Sequence, residues 1–243
     1  LDHNATTPLK NAAREAMLEV LSEPGNASSV RKAGRAARQK IEIARREIAA
    51  FVNAGDKSSV VFTSGATEAN NMVLKGAGVE RILVSAIEHP SVLEAAGTRE
   101  IIPILPSGLI DIGALDRLLE GNIKTTLISV MLVNNETGVI QPVEAVMEVA
   151  RRRGALVHAD AVQAAGRIPV DAQKLGVDFL TLSSHKIGGP QGAGALVISN
   201  CASVSPLMTG GGQEKNLRAG TENVAAIAGF GKAAVSALQD MSA

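Results

Sequence analysis

The sequence predicts an α/β protein in which helices cover both faces of a mainly parallel sheet. Helical and strand patterns alternate along the 243 residues, as they do in chains of βαβ units. The strand candidates are short and almost continuously apolar, which is typical of strands buried on both faces. Polar residues cluster directly after these strands, at the edge where open α/β sheets bind ligands.

The helices are predicted from apolar residues at helical spacing. In residues 11–21, Ala13, Met17 and Val20 share one face, and Pro24 is expected to stop this helix. Further helices are predicted over 33–52, from about Thr67, near 111–120 and 142–153, and over 223–243. The last helix has no glycine or proline stop signal, so we expect the protein to continue beyond it.

The strands are predicted from apolar runs that turn-forming residues separate. The first run is SSVVFTSG, residues 58–65. The others are 82–86, 100–105, 126–133, 155–160, 178–184 and 194–199. Because the chain has no Trp or Tyr, its core must consist mainly of Ala, Val, Ile and Leu side chains.

The composition argues against several classes of function. Lysine plus arginine (24) balance aspartate plus glutamate (24), so we expect neither a nucleic-acid partner nor a charged membrane surface. No apolar run has the length of a membrane span. The single cysteine, Cys201, cannot form an internal disulfide, and the four histidines show no zinc spacing, so no metal is expected. These observations predict a cytoplasmic protein.

Common nucleotide and hydrolase motifs are absent from the sequence. The glycines of GGPQGAG precede a strand, whereas the dinucleotide fingerprint follows one. Neither a phosphate-loop motif nor the GxSxG turn of serine hydrolases occurs.

Three polar residues after the early strands each allow a structural and a functional interpretation. Thr67, in TSGATEANN, can cap a helix or donate a hydroxyl to a phosphate at the helix N-terminus. His89, in IEHPSV, can be solvated or can lie flat against a planar ring. Asn135, in VNNETG, can form a turn or direct an amide into a pocket.

Two charged residues, Asp160 and Lys186, follow later strands and add to these polar candidates. Asp160 ends an apolar strand, where a carboxylate needs a basic side chain or a protonated ring nitrogen as partner. Lys186, in SSHK, is either a solvated lysine or a desolvated amine that attacks aldehydes. Ser183 and His185 can bind an anion beside it. A site for pyridoxal phosphate needs an aspartate for its ring nitrogen, a lysine for its aldehyde and a helix start for its phosphate.

The sequence resembles the cysteine desulfurases, the NifS/IscS-like branch of the class V aminotransferase family. The resemblance rests on LDHNATTP, FTSGATEANN, EHPSV, VNNETGVIQPV, HADAVQAAGRIPVD, LSSHKIGGPQGAGAL and GGGQEKNLRAGTENV, and it covers essentially the whole chain. It implies a homodimer. It also implies that residues 1–243 form the large domain of fold type I, with a mostly parallel seven-stranded sheet and helices on both faces. Residues 1–20 are expected to pack with a small domain that the sequence does not contain.

The resemblance implies specific roles around the cofactor ring. Lys186 binds the aldehyde of pyridoxal 5′-phosphate, and Asp160 pairs with the pyridine nitrogen. Gln163 bonds the phenolic oxygen. His89 stacks on the ring and, with Lys186, is expected to be catalytic. Asn135 approaches the ring oxygen and the substrate carboxylate.

The resemblance also implies a phosphate site. Ala66, Thr67, Ser183 and His185 hold the phosphate of the cofactor. Thr221, in RAGTEN, is expected to reach the phosphate of the cofactor in the neighbouring subunit.

The implied activity is conversion of L-cysteine to L-alanine, with the sulfur left as an enzyme persulfide for iron–sulfur cluster or thio-cofactor assembly. A sulfur acceptor or iron–sulfur scaffold protein is the implied partner. The nucleophilic cysteine and the substrate-binding arginine of the family lie beyond RAGTEN, outside this sequence, and Cys201 matches no catalytic motif. We therefore expect the cofactor-binding portion of the enzyme, inactive or weakly active alone. The alternatives are a related class V lyase, such as a selenocysteine lyase, and a cofactor-binding fragment that does no chemistry.

Overall fold

The seven predicted strands form a single sheet in the computed structural model, which describes residues 2–23 and 25–242. The strands are β1 (Ser59–Thr63), β2 (Arg81–Ser85), β3 (Glu100–Ile102), β4 (Thr126–Met131), β5 (Leu156–Asp160), β6 (Phe179–Ser183) and β7 (Gly194–Ile198). Their order across the sheet is β1-β7-β6-β5-β4-β2-β3.

All pairings from β3 to β6 are parallel, and only β7 runs against its two neighbours. The predicted mostly parallel sheet is therefore confirmed. Because Gly194 is paired with both Ser183 and Thr63, the start of β7 lies beside the carboxyl ends of β6 and β1. One edge of the sheet thus gathers the carboxyl ends of all strands except β7.

The helices are α1 (Asn11–Ser22), α2 (Lys32–Phe51), α3 (Ala66–Gly76), α4 (Pro90–Leu93), α5 (Ile112–Leu118), α6 (Val143–Arg153), α7 (Ala172–Leu175) and α8 (Val224–Ser242). Every predicted helix is present. The four-residue helices α4 and α7 were not predicted, because one turn is too short to show a helical period. Pro24, the expected stop of α1, lies outside the described residues.

Two apolar clusters cover the two faces of the sheet. The larger cluster includes residues of α2, α6 and α8, and the smaller one includes residues of α3. Helices α1 and α2 pack closely on α8, where a Cβ on Gly231 would lie 2.8 Å from the Cα of Ala44. The Gly- and Ala-rich sequence of α8 permits this approach. In the described residues α1 packs on α8. The expected packing of residues 1–20 on a small domain stays a prediction.

The described residues offer neither a membrane span nor a metal site. No helix within 2–23 and 25–242 is long and apolar enough to cross a bilayer. In the same ranges, no three His, Cys, Asp or Glu side chains are placed to hold a metal ion.

Candidate active site

A cavity of about 650 Å³ opens at the edge of the sheet where the carboxyl ends meet. This volume lies within the usual range for small-molecule sites. Nine of the ten predicted site residues line it. They are Ala66, Thr67, His89, Asn135, Asp160, Gln163, Ser183, His185 and Lys186.

The N-terminus of α3 forms one wall of the cavity. Gly65 precedes the helix without a side-chain cap, and the space beside its Cα is open. A Cβ on Gly194 would lie only 2.5 Å from the carbonyl carbon of Gly65, so the glycine at the start of β7 permits this close approach. The first-turn N–H groups of Ala66 and Thr67 have no intrahelical acceptor, which makes this end suitable for a phosphate.

Asp160 forms the floor at the end of β5 and is only 7% exposed. Its carboxylate accepts the side-chain amide of Asn70 at 2.9 Å and the N–H of Val162 at 3.0 Å. Burial raises the pKa of Asp160, while these hydrogen bonds and the nearby basic side chains of His89 and Lys186 oppose the rise. A cationic ring nitrogen would provide the missing close partner for this buried carboxylate.

His89 begins the short helix α4 and is exposed toward the cavity. Its Nδ1 accepts the N–H of Ser91 at 3.1 Å and lies 2.8 Å from the hydroxyl of Ser91. That hydroxyl also accepts the amide of Asn70 at 2.9 Å. Asn70 therefore contacts both Asp160 and the hydroxyl of Ser91 that bonds His89. The sequence did not indicate this connecting role.

Glu88 is a second buried carboxyl group, and nothing in the sequence indicated it. It is 4% exposed, and its Oε1 accepts the N–H of Met131 at 2.6 Å, beyond the end of β2. Its Oε2 has no hydrogen-bond partner among the described residues. Burial, and then the charge of Asp160, raise the pKa of Glu88 well above its ordinary value of 4.5. Asp160, with more donors, is therefore the better site for the negative charge.

The two adjacent asparagines of VNNETG have different roles. Asn134 is buried, and its Oδ1 accepts the N–H groups of Glu136 and Thr137 at 3.0 and 2.9 Å, which is turn chemistry. Asn135 lines the cavity instead. The turn interpretation of this motif therefore applies to Asn134, and the functional interpretation of Asn135 stays a prediction.

Lys186 lies in a 3₁₀ turn, Ser184–Lys186, directly after β6. Its ammonium donates to the backbone carbonyl of Asn4, which also accepts the side-chain amide of Gln163 at 3.0 Å. Burial, and then the charge of Arg167, lower the pKa of Lys186. The lower pKa increases the fraction of neutral amine, the form that reacts with aldehydes. Burial, and then Lys186, also lower the pKa of His185.

The N-terminal strap, residues 2–10, covers the turn that carries Lys186. Thr7 donates its N–H to the carbonyl of His185 and its hydroxyl to the carbonyl of Lys186, both at 3.0 Å. Arg167 donates to the carbonyl of His3 at 2.7 Å. The motif LDHNATTP supported the family resemblance, but none of these contacts was predicted from it.

Thr221 and Cys201 lie away from the other site residues. Thr221 lines a smaller cavity of about 240 Å³ that shares Ser64, Gly192 and Ala193 with the first. Its expected contact with a neighbouring subunit stays a prediction. Cys201 is exposed and follows β7 at the opposite edge of the sheet, since Ile198 is paired with Phe179, the first residue of β6.

The cavity fits pyridoxal 5′-phosphate by the chemistry of its donors. An amine with a lowered pKa, a buried carboxylate that contacts no cationic side chain within residues 2–23 and 25–242, and an uncapped helix N-terminus face one space. These groups suit the aldehyde, the ring nitrogen and the phosphate of that cofactor.

Comparison with known proteins gives one family. Residues 1–242 match the model of the class-V aminotransferases. The chain is 42% identical to a cysteine desulfurase IscS of Dictyoglomus turgidum and 43% identical to a cysteine desulfurase IscS 1 of Archaeoglobus fulgidus. These matches cover 99% and 96% of this chain, which spans 64% of the length of each relative.

Solved structures agree with this result. A NifS-like protein from Rickettsia africae superposes with a TM-score of 0.94 at 38% identity, covering 100% of this chain and 69% of that protein. A cysteine desulfurase from Thermococcus onnurineus superposes with a TM-score of 0.85 at 27% identity, covering 98% and 66%. The chain is a member of the pyridoxal-phosphate-dependent class-V aminotransferase family.

Proposed function

We propose that this chain is the cofactor-binding portion of a cysteine desulfurase that uses pyridoxal 5′-phosphate. One observation carries the proposal: a single cavity joins the amine of Lys186, the buried carboxylate of Asp160 and the uncapped N-terminus of α3. The names of its relatives support the choice of reaction.

Lys186 and Asp160 hold the two ends of the cofactor ring in this proposal. When bound, pyridoxal phosphate supplies an electron sink that weakens the bonds at the Cα of an amino acid. Asp160, fixed by Asn70 and Val162, would pair with the ring nitrogen and keep it protonated. Lys186 would bind the aldehyde, and its lowered pKa would allow it to accept and return a proton at Cα.

The remaining cavity residues position the phosphate, the ring and the substrate. The N–H groups of Ala66 and Thr67, together with Ser183 and His185, would hold the phosphate. Gln163 would bond the phenolic oxygen, His89 would stack on the ring, and Asn135 would contact the carboxylate of the substrate. All of these side chains line the same cavity.

The sulfur transfer needs a thiol that Cys201 cannot supply. In the overall reaction, the carbon–sulfur bond of L-cysteine breaks, an enzyme thiol becomes a persulfide, and L-alanine leaves. Cys201 is the single cysteine of the chain and lies at the far edge of the sheet. We therefore propose that the nucleophilic thiol and the small domain lie outside these 243 residues, and that the isolated chain binds cofactor with little or no turnover.

The partners follow from the same proposal. We propose a homodimer in which Thr221 of each subunit reaches the phosphate in the other, and a sulfur acceptor or iron–sulfur scaffold protein as the recipient. The cytoplasm is the proposed location, in keeping with a chain whose single cysteine excludes an internal disulfide.

Visible absorption tests the cofactor site. Addition of pyridoxal phosphate to the purified chain should produce the band of the lysine-bound cofactor, and Lys186→Ala should abolish it. Lys174→Ala is the control, because Lys174 is an exposed lysine that pairs with Glu144 on another surface. A folded wild-type chain without the band, or a Lys186→Ala variant that keeps it, would overturn the proposal.

Turnover tests the choice of reaction. The isolated chain and a longer version carrying the small domain should be compared with L-cysteine and with L-selenocysteine as substrates. We expect alanine and persulfide from cysteine with the longer version only. Preference for selenocysteine would indicate a selenocysteine lyase, and equal activity of both versions would contradict the argument about Cys201.

A further inference from the structure

Asn70 and Ser91 connect the two side chains that are proposed to contact the cofactor ring. Asn70 lies on α3 and is fully buried. Its Nδ2 lies 2.9 Å from Oδ2 of Asp160 and 2.9 Å from the hydroxyl of Ser91. That hydroxyl lies 2.8 Å from Nδ1 of His89. An unbroken hydrogen-bond path therefore runs from Asp160 to His89.

The chemistry of the groups fixes the direction of each bond. An ionised carboxylate only accepts hydrogen bonds, so the amide nitrogen of Asn70, not its oxygen, must face Asp160. The second N–H of the same amide then donates to the hydroxyl of Ser91. Because that oxygen accepts from Asn70, its own hydrogen is free to point to Nδ1 of His89.

A second donor acts on the same ring nitrogen. The backbone N–H of Ser91 lies 3.1 Å from Nδ1 of His89, and a backbone N–H can only donate. Nδ1 therefore has to be an acceptor, which places the proton of the neutral imidazole on Nε2. With Nδ1 engaged, Nε2–H is the polar group of the ring that can face the cavity.

We propose that Asn70 and Ser91 are positioning residues that fix His89 as the Nε2–H tautomer and tie its orientation to Asp160. His89 then offers a hydrogen-bond donor to the cavity and has no free lone pair with which to accept a proton from the substrate. This arrangement leaves Lys186 as the group that accepts the Cα proton. The inference rests on the proposed function, because it assigns roles toward the same cofactor.

The side-chain amide of Asn70 uses its N–H groups and not its oxygen. Its Oδ1 is buried and has no partner among the described residues. A buried unsatisfied acceptor is unfavourable, whereas both hydrogens of its Nδ2 are used, on Asp160 and Ser91. The environment therefore satisfies the amide nitrogen of Asn70 and leaves its oxygen without a partner.

Nitrogen-15 NMR of histidine-labelled, cofactor-free protein tests the tautomer directly. We expect His89 to be predominantly the Nε2–H form in the wild type. Ser91→Ala removes one of the two donors to Nδ1 and should raise the fraction of the Nδ1–H form severalfold. Asn70→Ala frees the hydroxyl of Ser91 to turn and should raise that fraction by a smaller factor. Asn71→Ala is the matched control, since its amide bonds the carbonyl of Thr67 instead.

Cofactor affinity gives a second, independent readout. Asn70→Ala should weaken binding of pyridoxal phosphate roughly tenfold, because a hydrogen bond to a charged group is lost. Ser91→Ala and Asn71→Ala should stay within about twofold. If Asn70→Ala fails to fold, Ser91→Ala still tests the tautomer.

Three results would overturn the inference. They are a wild-type His89 in the Nδ1–H form, a tautomer ratio unchanged in both Ser91→Ala and Asn70→Ala, and weaker cofactor binding in Asn70→Ala without any change at His89. The NMR experiment needs no cofactor. A wild-type chain that fails to bind pyridoxal phosphate would therefore contradict the proposed function and leave the tautomer result standing.

Discussion

Asp160 and Lys186 face the same cavity, yet the protein holds them by different means. Asp160 ends a central strand, is 7% exposed, and has donors from α3 and from the turn after β5. Lys186 lies in a 3₁₀ turn outside the sheet, is only half buried, and is tied to the N-terminal strap. The sheet therefore organises the end of the site proposed to meet the ring nitrogen, and a surface segment organises the lysine end.

This difference matches the chemistry that each end must perform. A carboxylate that only has to hold a charge benefits from a rigid, buried setting, in which electrostatic interactions are strong. A lysine that binds an aldehyde and moves a proton has to change partners. Its bond to the carbonyl of Asn4 engages the same amine that the proposed link to the cofactor requires, so we expect this contact to break when the cofactor binds.

The largest effect is expected at the sheet-built end. Asp160→Asn removes the charge that a protonated ring nitrogen would meet, and breaking one partner of a buried charge pair costs about 2–5 kcal/mol. Binding of pyridoxal phosphate should therefore weaken roughly a hundredfold, as measured by titration of the visible band. The control is Asp178→Asn at the opposite edge of the sheet, where the carboxylate accepts the N–H of Val157. Equal affinities in the two variants would show that Asp160 does not meet the ring.

The same end should also make the cofactor-free protein sensitive to pH. Burial and Asp160 raise the pKa of Glu88, so the folded state holds that proton more tightly than the unfolded chain does. The stabilisation of the folded state by this bound proton is fully present below the ordinary pKa of 4.5. It is lost as the pH rises through the raised pKa of Glu88.

Glu88→Gln should reduce this loss of stability with rising pH. The amide keeps an oxygen for the N–H of Met131 and cannot ionise, so the variant should be more stable at alkaline pH by about 1–3 kcal/mol. Urea unfolding at several pH values measures it. Glu144→Gln, an exposed change, should follow the wild type, and an unchanged pH slope in Glu88→Gln would assign the effect to another group.

A moderate effect is expected at the lysine end. The charge of Arg167 lowers the pKa of Lys186, after burial, so Arg167→Met should raise that pKa and leave less neutral amine at neutral pH. Covalent capture of pyridoxal phosphate should then slow severalfold in stopped-flow absorption, and the difference should shrink as the pH approaches the pKa of the lysine.

Arg167→Lys separates charge from anchoring. Arg167 also donates to the carbonyl of His3 in the strap, and a lysine keeps the charge without the planar geometry of a guanidinium. We expect Arg167→Lys to react at nearly the wild-type rate. If it reacts as slowly as Arg167→Met, the anchoring of the strap, not the charge, controls the lysine.

Most of the sheet could be predicted because its strands are buried on both faces. The runs that became β4 to β7 are buried at nearly every position, and such runs stand out in a sequence. The antiparallel direction of β7 could also have been predicted. Only residues 184–193 separate it from β6, and a parallel crossover needs a dozen or more residues.

The site was predicted in part for the same reason. Asp160 and Lys186 follow apolar strands, and the topology of such sheets brings those positions together. Their supporting contacts were not predictable, since Asn70 is 90 residues from Asp160 and Asn4 is 182 residues from Lys186 along the chain. Glu88 adjoins a predicted site residue, but nothing in the sequence shows that its carboxyl group is buried.

The smallest effect is expected from a substitution in the strap. Its cost in free energy of unfolding is compared with that of the same substitution in the sheet. Thr7→Val keeps the backbone bond to His185 and loses the half-buried hydroxyl bond to Lys186, which should cost at most about 1 kcal/mol. Thr181→Val should cost more, about 1–3 kcal/mol, because it leaves Nε2 of the fully buried His158 without a partner. Burial lowers the pKa of His158 to about 3, so its ring stays neutral at the pH of the measurement. Urea unfolding at neutral pH compares the two variants, and equal losses would mean that the strap is held as firmly as the sheet.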